Sequence, residues 1–237
     1  MIRIVLFGAC GRMGRMSAEE LLNHSDLTLV CGVEHPEHPE IGQTIGGAIV
    51  IADGESLPES DVWVDFSLAG PAIMHARRAA EENKPLLLAV TGFSPAEEEE
   101  VEWLARLCPI LAAPNLSAGM GAMEYIAAAA TRLLPESFDA VISETHHRTK
   151  KDAPSGTAKR LSERMARFGP KPEIFSIRAG MAVGEHRVQF IGQDEELILI
   201  HRAWSRRAFS SGIPRAVRFL FGRSAGLYTL EDIYELD

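Results

Sequence analysis

The chain opens with an uninterrupted apolar run, Ile2 to Phe7, that passes directly into a glycine-rich turn. A short apolar run closed by glycine is typical of a buried parallel strand. Gly8, Gly11 and Gly14 then allow the backbone to turn sharply into a helix that begins near Met13. This strand–turn–helix unit favours a fold in which a parallel sheet is covered by helices.

The same alternation continues through the first half of the chain. The residue pattern predicts further strands at 27–33, 62–66, 86–90 and 110–113, and helices at 13–23, 71–83 and from Pro95 onward. Strands and helices that alternate this regularly imply a doubly wound parallel sheet with right-handed crossovers. We therefore expect an α/β protein with a Rossmann-like sheet.

The second half has a different organisation. Helices are predicted at 119–134, 155–168 and 207–221, and strands at 138–143, 173–178, 183–191 and 196–201, the last two joined by a hairpin. Grouped strands indicate an α+β substrate-binding domain with an open mixed sheet. The expected division is a dinucleotide-binding domain at 1–117, to which about 207–237 returns, and a second domain at 118–206.

Composition excludes several classes of function. The 237 residues carry a net charge of −9, which disfavours nucleic acid and anionic membranes as partners. No apolar run is long enough to span a membrane, and the N-terminus does not resemble a secretion signal, so we expect a cytoplasmic protein. The three cysteines are too widely spaced to indicate a disulfide framework or a zinc knuckle.

The glycine turn is a candidate dinucleotide site. Its spacing, G-x-x-G-x-x-G, also occurs as a simple strand-to-helix turn, but here a strand precedes it and a helix follows. A pyrophosphate can approach a glycine backbone closely and face the helix N-terminus. Glu34 ends the second strand, twenty residues beyond Gly14, where a carboxylate can bind the adenosine ribose. The predicted contacts are Gly8, Ala9, Cys10, Gly11, Arg12, Met13 and Glu34.

The choice between NADH and NADPH depends on the residues around Glu34. A carboxylate favours the free 2′-hydroxyl of NAD, and His35 stands where an arginine would favour the 2′-phosphate of NADP. Arg12 could still reach such a phosphate. We predict that NADH is used well and that any use of NADPH depends on Arg12.

Two later strand ends complete the predicted pocket, because ligands of this fold bind beyond the carboxyl ends of the strands. Small residues there would let the nicotinamide lie against the backbone. Phe66 is a candidate wall, although an aromatic residue near a strand end equally suits the core. The predicted contacts are Phe66, Ala89, Val90, Thr91, Ala113, Pro114, Asn115 and Leu116.

The segment 144–157 concentrates chemical groups in an otherwise acidic chain. It contains two adjacent histidines, cationic side chains and the turn Ser155-Gly156-Thr157, which follows Pro154 and can cap a helix. A charged loop that merely caps a helix is one interpretation. The histidine pair beside a helix N-terminus favours another, an anion-binding site that also transfers protons.

These motifs resemble the dihydrodipicolinate reductase family. The resemblance runs in family order through nearly the whole chain, and the His-His-x-x-Lys-x-Asp-Ala-Pro-Ser-Gly-Thr block is highly specific to that family. It is carried by the segments 8–14, 90–93, 113–117, 144–158, 178–180, 183–186 and 200–206.

The family resemblance implies a reaction. Such enzymes use NADH and/or NADPH to reduce a cyclic conjugated imine with two carboxylates, giving tetrahydrodipicolinate for lysine and diaminopimelate biosynthesis. They are homotetramers built through the sheet of the substrate domain. A small dicarboxylate is therefore the expected partner.

By family position, His146 is the general acid and Lys150 assists as proton donor or binds a substrate carboxylate. His147 would contact the substrate. Ser155, Gly156 and Thr157 would bind one carboxylate at the helix start, and Thr91 the other.

The chain departs from the family at two positions. Ala89 and Val90 stand where glycine and threonine are usual, which leaves one fewer hydroxyl near the nicotinamide. Leu116 replaces a common phenylalanine, which should change only packing.

Parts of this pattern also suit other functions. Adjacent histidines can bind a metal, but no Cys or carboxylate cluster lies at a ligand spacing, so no metal is expected. An enzyme acting on another imine or amino acid, similar to aspartate dehydrogenase, would not need the anion site beside His146. A non-catalytic, redox-sensing nucleotide-binding regulator would leave the cationic block unexplained.

Overall fold

The computed structural model describes residues 1–234 of the chain. The chain divides into two compact units. The first comprises Met1–Leu116 and the chain from Phe209 onward, and the second comprises Ser117–Ala208. These divisions fall within two residues of those expected from the sequence.

Twelve strands and eight helices are present in the described residues. The strands are β1 Ile2–Phe7, β2 Leu27–Glu34, β3 Thr44–Ile45, β4 Ala48–Ala52, β5 Val62–Asp65, β6 Leu86–Leu88, β7 Pro109–Ala112, β8 Asp139–His146, β9 Glu173–Arg178, β10 Gly184–Ile191, β11 Glu196–Ala203 and β12 Gly226–Tyr228. The helices are α1 Arg12–Leu21, α2 Ala69–Glu81, α3 Pro95–Leu104, α4 Ala118–Leu133, α5 Gly156–Met165, α6 Arg207–Ser210, α7 Ile213–Leu220 and α8 Leu230–Tyr234.

The first unit is built on an eight-stranded sheet in the order β12-β7-β6-β5-β1-β2-β4-β3. Every pairing is parallel except that of the short β3 with β4. The strand order reverses at β1, so β5 lies on one side of it and β2 on the other. This confirms the predicted doubly wound, Rossmann-like sheet and places the end of β1 where such folds bind ligands.

Both faces of this sheet are covered by helices. Successive side chains of a strand point to opposite faces, so Ile4 and Leu6 pack into one core with α1 and α7. Val5 and Phe7 pack into the other core with α2 and α3. A central strand buried on both faces explains the continuous apolar run that opens the chain.

The prediction of one helix over 207–221 is wrong. The segment forms two helices, α6 and α7, separated at Gly212. A Cβ at Gly212 would lie 2.0 Å from the carbonyl oxygen of Leu116, so this backbone contact requires glycine. Pro214, which would interrupt a continuous helix, lies instead in the first turn of α7, where its missing N–H costs nothing.

The second unit contains a four-stranded sheet in the order β11-β10-β8-β9. The pair β8·β9 is parallel and the other two pairs are antiparallel, as expected for an open mixed sheet. Helices α4 and α5 cover one face, with Met120, Leu161 and Met165 packed against Ile142 and Val188.

The opposite face of this sheet carries no helix of the same unit. In-register neighbours there include Phe175 on β9, Arg187 on β10 and Ile200 on β11. Phe175 and Ile177 are 52% and 48% exposed, and Ile198 and Ile200 are 38% and 51% exposed. We call this surface the outer sheet face.

Among the described residues, no helix combines the length and apolar character needed to cross a lipid bilayer.

Candidate active site

The glycine turn of the first unit is packed so tightly that Gly8 and Gly14 have no space for a side chain. Gly8 has a φ of +69°, and a Cβ there would lie 2.8 Å from the carbonyl carbon of Phe66. A Cβ at Gly14 would lie 2.2 Å from the carbonyl oxygen of Gly8. The turn therefore presents bare backbone after β1, as a site for a pyrophosphate requires.

Helix α1 begins directly after this turn. Its N-cap is Gly11, which supplies no side-chain hydrogen bond, and its first turn contains no acidic residue. The first N–H groups of a helix have no partner within the helix and carry partial positive charge. The arrangement of glycine turn and uncapped helix fits the dinucleotide predicted from the sequence.

Glu34 supports the turn as well as ending β2. Its Oε2 accepts a hydrogen bond from the backbone N–H of Cys10 at 3.0 Å, and its Oε1 accepts one from His35 N–H at 3.2 Å. Burial, followed by the nearby Glu34 carboxylate, raises the pKa of the Cys10 thiol to about 11. Cys10 is therefore a neutral packing residue in this turn.

The other predicted contacts of the first unit follow adjacent strands. Strands β5, β6 and β7 are neighbours, so Phe66, Ala89 and Ala113 follow their carboxyl ends along one edge. The ends are tied together, because Ala89 N–H donates to Asp65 and Ala113 N–H donates to Leu88, each at 3.0 Å.

Exposure differs along this edge. Arg12, Thr91 and Pro114 are exposed, whereas Val90, Ala113, Asn115 and Leu116 are buried. Phe66 is half-buried and packs against the core, and its role as a wall of the cofactor pocket stays a prediction.

Three potential metal ligands approach each other in the first unit, which residue spacing alone did not indicate. Ligand atoms of Cys10, Glu34 and His38 lie within 4.8 Å of one another. Glu34 already accepts two backbone hydrogen bonds, and His38 Nδ1 accepts one from Glu40 N–H at 3.3 Å. Hydrogen bonding within the loop accounts for their proximity.

A buried carboxylate, Glu144, organises the second unit's site. Alternation along β8 places Glu144 and His146 on the same face of the sheet. Arg178, at the end of β9, forms two hydrogen bonds to the fully buried Glu144, of 2.7 and 2.9 Å. Ser155 N–H donates to Oε1 of the same carboxylate at 3.2 Å, and His146 Nδ1 contacts its Oε2.

The charge state of Glu144 follows from these contacts. Burial alone would raise the pKa of its carboxyl group, but hydrogen bonds from Arg178, Ser176 and His146 outweigh burial and hold the pKa at about 2. Glu144 is therefore ionised at neutral pH. An ionised carboxylate at Nδ1 fixes that nitrogen as the N–H donor and leaves Nε2 for other partners.

The glycine at position 184 keeps the space beside His146 Nε2 open. A Cβ at Gly184, which begins β10, would lie 3.1 Å from His146 Nε2, so glycine provides the necessary space. Burial lowers the pKa of His146 below its usual value, while the hydrogen bond and charge of Glu144 raise it. His146 can thus gain or lose a proton at Nε2. The Glu144 carboxylate at Nδ1 stabilises the protonated, charged form of the ring.

Ser155 is the N-cap of α5, as the sequence predicts. Its hydroxyl accepts a hydrogen bond from Ala158 N–H at 3.2 Å and lies 3.3 Å from His186 Nε2. Ser155 is only 2% exposed, whereas the following Gly156 is exposed. The hydroxyl is engaged in capping, and the first residue of α5, Gly156, faces solvent.

His186 lies behind this cap. Its ring packs edge-on against His146, with 5.3 Å between the ring centroids, and burial lowers its pKa to about 3. His186 Nδ1 is buried without a hydrogen-bond partner among the described residues, as is Nδ1 of His201.

The remaining predicted residues lie on the loop between β8 and α5. Lys150 Nζ forms an ion pair of 2.8 Å with Asp152, and the positive charge of Lys150 contributes to lowering the pKa of His146. His147 Nδ1 lies 2.9 Å from Thr149 Oγ1. The second unit thus brings His146, Ser155 and Arg178 around one buried carboxylate, with Lys150 paired to Asp152 on the adjoining loop.

Sequence reasoning gave no individual role to Glu144, Arg178 or Gly184, although the segments 144–158, 178–180 and 183–186 contain them. A usable signal existed for Glu144, since residues two apart on a strand share a face and Glu144 precedes His146 by two. Nothing in the local sequence indicates that β9 and β10 bring Arg178 and Gly184 alongside.

Comparison with protein families agrees with this arrangement. The family model "Dihydrodipicolinate reductase, N-terminus" matches residues 2–116, and the model "Dihydrodipicolinate reductase, C-terminus" matches residues 119–234. The chain belongs to the dihydrodipicolinate reductase family. The boundary between the two family models coincides with the division between the two structural units.

Curated relatives extend this similarity over the full length. The 4-hydroxy-tetrahydrodipicolinate reductases of Aquifex aeolicus and Myxococcus xanthus are 36% and 35% identical to this chain. The first match covers 99% of each chain, and the second covers 98% of this chain and 97% of the relative.

Solved structures share the fold of this reductase family member. A dipicolinate-bound dihydrodipicolinate reductase from Paenisporosarcina sp. TG-14 is 24% identical, with a TM-score of 0.83, and the match covers 98% of this chain and 99% of that one. An amine dehydrogenase from Mycobacterium smegmatis is 11% identical, with a TM-score of 0.69 and coverage of 98% and 95%.

Proposed function

We propose that this chain uses a nicotinamide cofactor to reduce 4-hydroxy-tetrahydrodipicolinate to tetrahydrodipicolinate, in the biosynthesis of diaminopimelate and lysine. The carrying observation is the Glu144–His146–Arg178 cluster at the head of the Ser155-capped helix, within a chain that belongs throughout to one reductase family.

His146 is the proposed general acid. Loss of the 4-hydroxyl group of the substrate as water gives the conjugated imine, to which a bound nicotinamide would supply a hydride. Hydride addition leaves an electron-rich, enamine-like carbon that needs a proton. His146 donates that proton from Nε2, while the Glu144 carboxylate at Nδ1 stabilises the imidazolium beforehand. Lys150 assists as a second cationic group beside His146.

The start of α5 is the proposed site for one substrate carboxylate. Backbone donors at Gly156 and Thr157 lie at the positive end of a ten-residue helix whose first turn contains no acidic residue. His147 and Lys150 would contribute from the preceding loop.

The first unit is the proposed dinucleotide-binding domain, with NADH used well. Glu34 lies at the end of β2 with its carboxylate beside the glycine turn, which favours a free ribose 2′-hydroxyl. Arg12 is exposed at the start of α1, so it is the group available to a 2′-phosphate.

We expect Arg12→Ala to raise the KM for NADPH about tenfold and to leave the KM for NADH nearly unchanged, as measured by initial rates with each cofactor. Exclusive use of NADPH by the wild type would contradict this preference.

We also propose that the protein is a homotetramer assembled through the outer sheet face. Exposed aromatic and aliphatic side chains there lie across strands β9 and β11. The buried Nε of Arg187, on the same face, has no hydrogen-bond partner among the described residues, and a second subunit could supply one.

An assay of NADH oxidation with freshly generated 4-hydroxy-tetrahydrodipicolinate tests the activity directly. Turnover with this substrate, and none with oxaloacetate plus ammonia, supports the reductase and excludes the aspartate dehydrogenase-like alternative. Dinucleotide binding without turnover on any imine would instead support a non-catalytic regulator and overturn the proposal.

His146→Gln tests the proton donor. We expect kcat to fall about 10²- to 10⁴-fold, the usual contribution of a general acid, while the substrate KM changes far less. Glu163→Gln, on the exposed side of α5, is the matched control and should retain full activity. An unchanged kcat in His146→Gln would remove His146 from this role.

A further inference from the structure

A buried histidine outside the glycine turn and outside the segment 144–157 connects two loops of the first unit. His75 lies on α2 and its side chain is 7% exposed. Its ring stacks on Phe7 of β1, with 4.1 Å between the ring centroids. Nδ1 lies 2.7 Å from Oδ2 of Asp65, and Nε2 lies 3.1 Å from Oδ2 of Asp53.

Carboxylates at both ring nitrogens require both nitrogens to carry a proton. A neutral imidazole would direct a lone pair at one of the two carboxylates, so the geometry favours the imidazolium. Asp65 is fully buried, which makes an unpaired charge there costly. Burial alone would lower the pKa of His75, but Asp65, followed by Asp53, outweighs burial and raises it.

The hydrogen bonds of Asp65 connect His75 to the glycine turn. The second oxygen of Asp65, Oδ1, accepts a hydrogen bond from Ser67 N–H at 2.7 Å. Phe66, between them, donates its N–H to the carbonyl of Phe7 at 3.1 Å. The Phe66 backbone is the group whose close approach excludes a side chain at Gly8. His75 thereby helps to set the wall on one side of the turn.

The hydrogen bonds of Asp53 connect His75 to the other side of the same turn. Asp53 follows β4, and its N–H donates to the carbonyl of Glu34 at 2.8 Å. The Glu34 side chain in turn accepts the hydrogen bond from Cys10 N–H. His75 therefore links the two backbone segments that flank the turn assigned to the dinucleotide.

We propose that His75 is a positioning residue for the nicotinamide dinucleotide, whose imidazolium holds the loops after β4 and β5 in the arrangement that the glycine turn needs. The role rests on the proposed assignment of that turn to the dinucleotide. His75 touches no reacting atom. It acts through Asp53 and Asp65, so its loss affects dinucleotide affinity rather than the chemical step.

The proposal gives cofactor binding a pH dependence. Asp65 faces His75 from β5 and Asp53 faces it from the loop after β4, while β1 contributes only the apolar ring of Phe7. On its own helix, Arg78 pairs with Glu82 and lies over the Trp63 ring. The two charge-assisted hydrogen bonds from His75 to Asp53 and Asp65 are fully formed below the ordinary pKa of histidine. One of them is lost as the pH rises through the raised pKa of His75.

Asp53→Asn is the main test, because it weakens one of the two hydrogen bonds of His75 and leaves the buried His75–Asp65 pair in place. We expect the Kd for NADH, measured by fluorescence titration, and the KM for NADH to rise about tenfold, the loss expected of one charge-assisted hydrogen bond. The kcat at saturating NADH should stay the same. His75→Gln should likewise raise the Kd and KM for NADH without changing kcat. It should also lose the pH dependence of NADH affinity. Imidazole resonances of the wild type followed by NMR should show both ring nitrogens protonated at pH 6.5.

Asp26→Asn is the matched control, since it removes an exposed ion pair with Arg218 just before β2, at the opposite end of that strand. If Asp53→Asn and His75→Gln bind NADH as Asp26→Asn does, or if His75 is neutral at pH 6.5, the positioning role is wrong. A fall in melting temperature with unchanged NADH affinity would also overturn it. A wild type that binds no dinucleotide would instead remove the proposed site at the glycine turn.

Discussion

At the scale of single residues, the buried carboxylate of Glu144 connects groups that are far apart in the sequence. It pairs with Arg178 of β9, receives the N–H of Ser155 and contacts His146. Removing one partner of a buried ion pair leaves the other charge uncompensated, which costs about 3–5 kcal/mol. Glu144 therefore affects both the fold of the second unit and the proton affinity of His146.

Substitution of Glu144 with Gln separates these two effects. Because the carboxylate raises the pKa of His146 against burial, the variant should have a lower His146 pKa and a smaller protonated fraction at pH 7. We expect kcat to fall about tenfold for each pH unit of that shift. The limb of the pH–rate profile that reports the general acid should move to lower pH.

Thermal unfolding of Glu144→Gln provides the control for folding. The wild type should lose the stabilisation from Glu144 as the pH falls from 4.5 towards its folded-state pKa of about 2. The variant should be less stable at pH 7 and should lack that acid-dependent loss. A pH–rate profile that superimposes on the wild type would show that Glu144 does not tune His146.

At the scale of elements, the glycine turn and α1 form one rigid unit. Gly14 lies inside α1, but the carbonyl groups of Gly8 and Ala9 occupy the space that a side chain would need. Helix propensity alone would favour alanine over glycine in this position. Close backbone packing, rather than helix formation, therefore determines the residue.

Gly14→Ala should displace the turn, since its Cβ would lie 2.2 Å from the carbonyl oxygen of Gly8. We expect a loss of stability of about 1–3 kcal/mol, typical of overpacking, and at least a tenfold rise in the KM for NADH, measured by initial rates. Gly70→Ala is the control, because no atom lies within 4 Å of a Cβ there. If both variants bind NADH normally, the turn does not shape the dinucleotide site.

The sequence predicted most of the large elements because their signals are local. The apolar run of β1, the capping residue Ser155 and the grouped strands β9, β10 and β11 were all indicated by the pattern around them. Short edge elements were missed, including β3 and β12, since two or three residues carry no periodicity.

The candidate site was predictable in part for the same reason. The contiguous segment 144–157 and the glycine turn lie within single stretches of chain, so their chemistry could be interpreted before the fold was known. Arg178, Gly184 and the His75–Asp53–Asp65 cluster depend on contacts between distant segments. Pairing of β8 with β9 and β10, and packing of α2 on β1, create those contacts.

At the scale of the whole molecule, the outer sheet face is the surface that argues for assembly. Burying a Phe or Ile side chain is worth about 1.5–3 kcal/mol, and several such side chains lie exposed there. Phe175→Asp and Ile200→Asp introduce charges into one row of that face. We expect either variant to shift the molar mass from four chains towards one or two, measured by light scattering.

Leu107→Asp is the control for this experiment. Leu107 is 48% exposed, similar to Phe175 and Ile200, but belongs to the first unit. It should leave the mass unchanged. A wild-type protein that is monomeric, or charged variants that remain tetrameric, would show that the outer sheet face does not form the interface.

The discontinuity of the first unit has a consequence for how the protein forms during synthesis. Helix α7 buries Ile213, Val217 and Leu220 against the sheet of the first unit. All strands of that sheet except β12 are synthesised before residue 117, and β12 then adds an edge strand beside β7. The second unit is therefore synthesised in full before the helix that covers the apolar surface of the first unit. A chain truncated after Ala208 should be prone to aggregation or chaperone capture, because its first unit lacks α7.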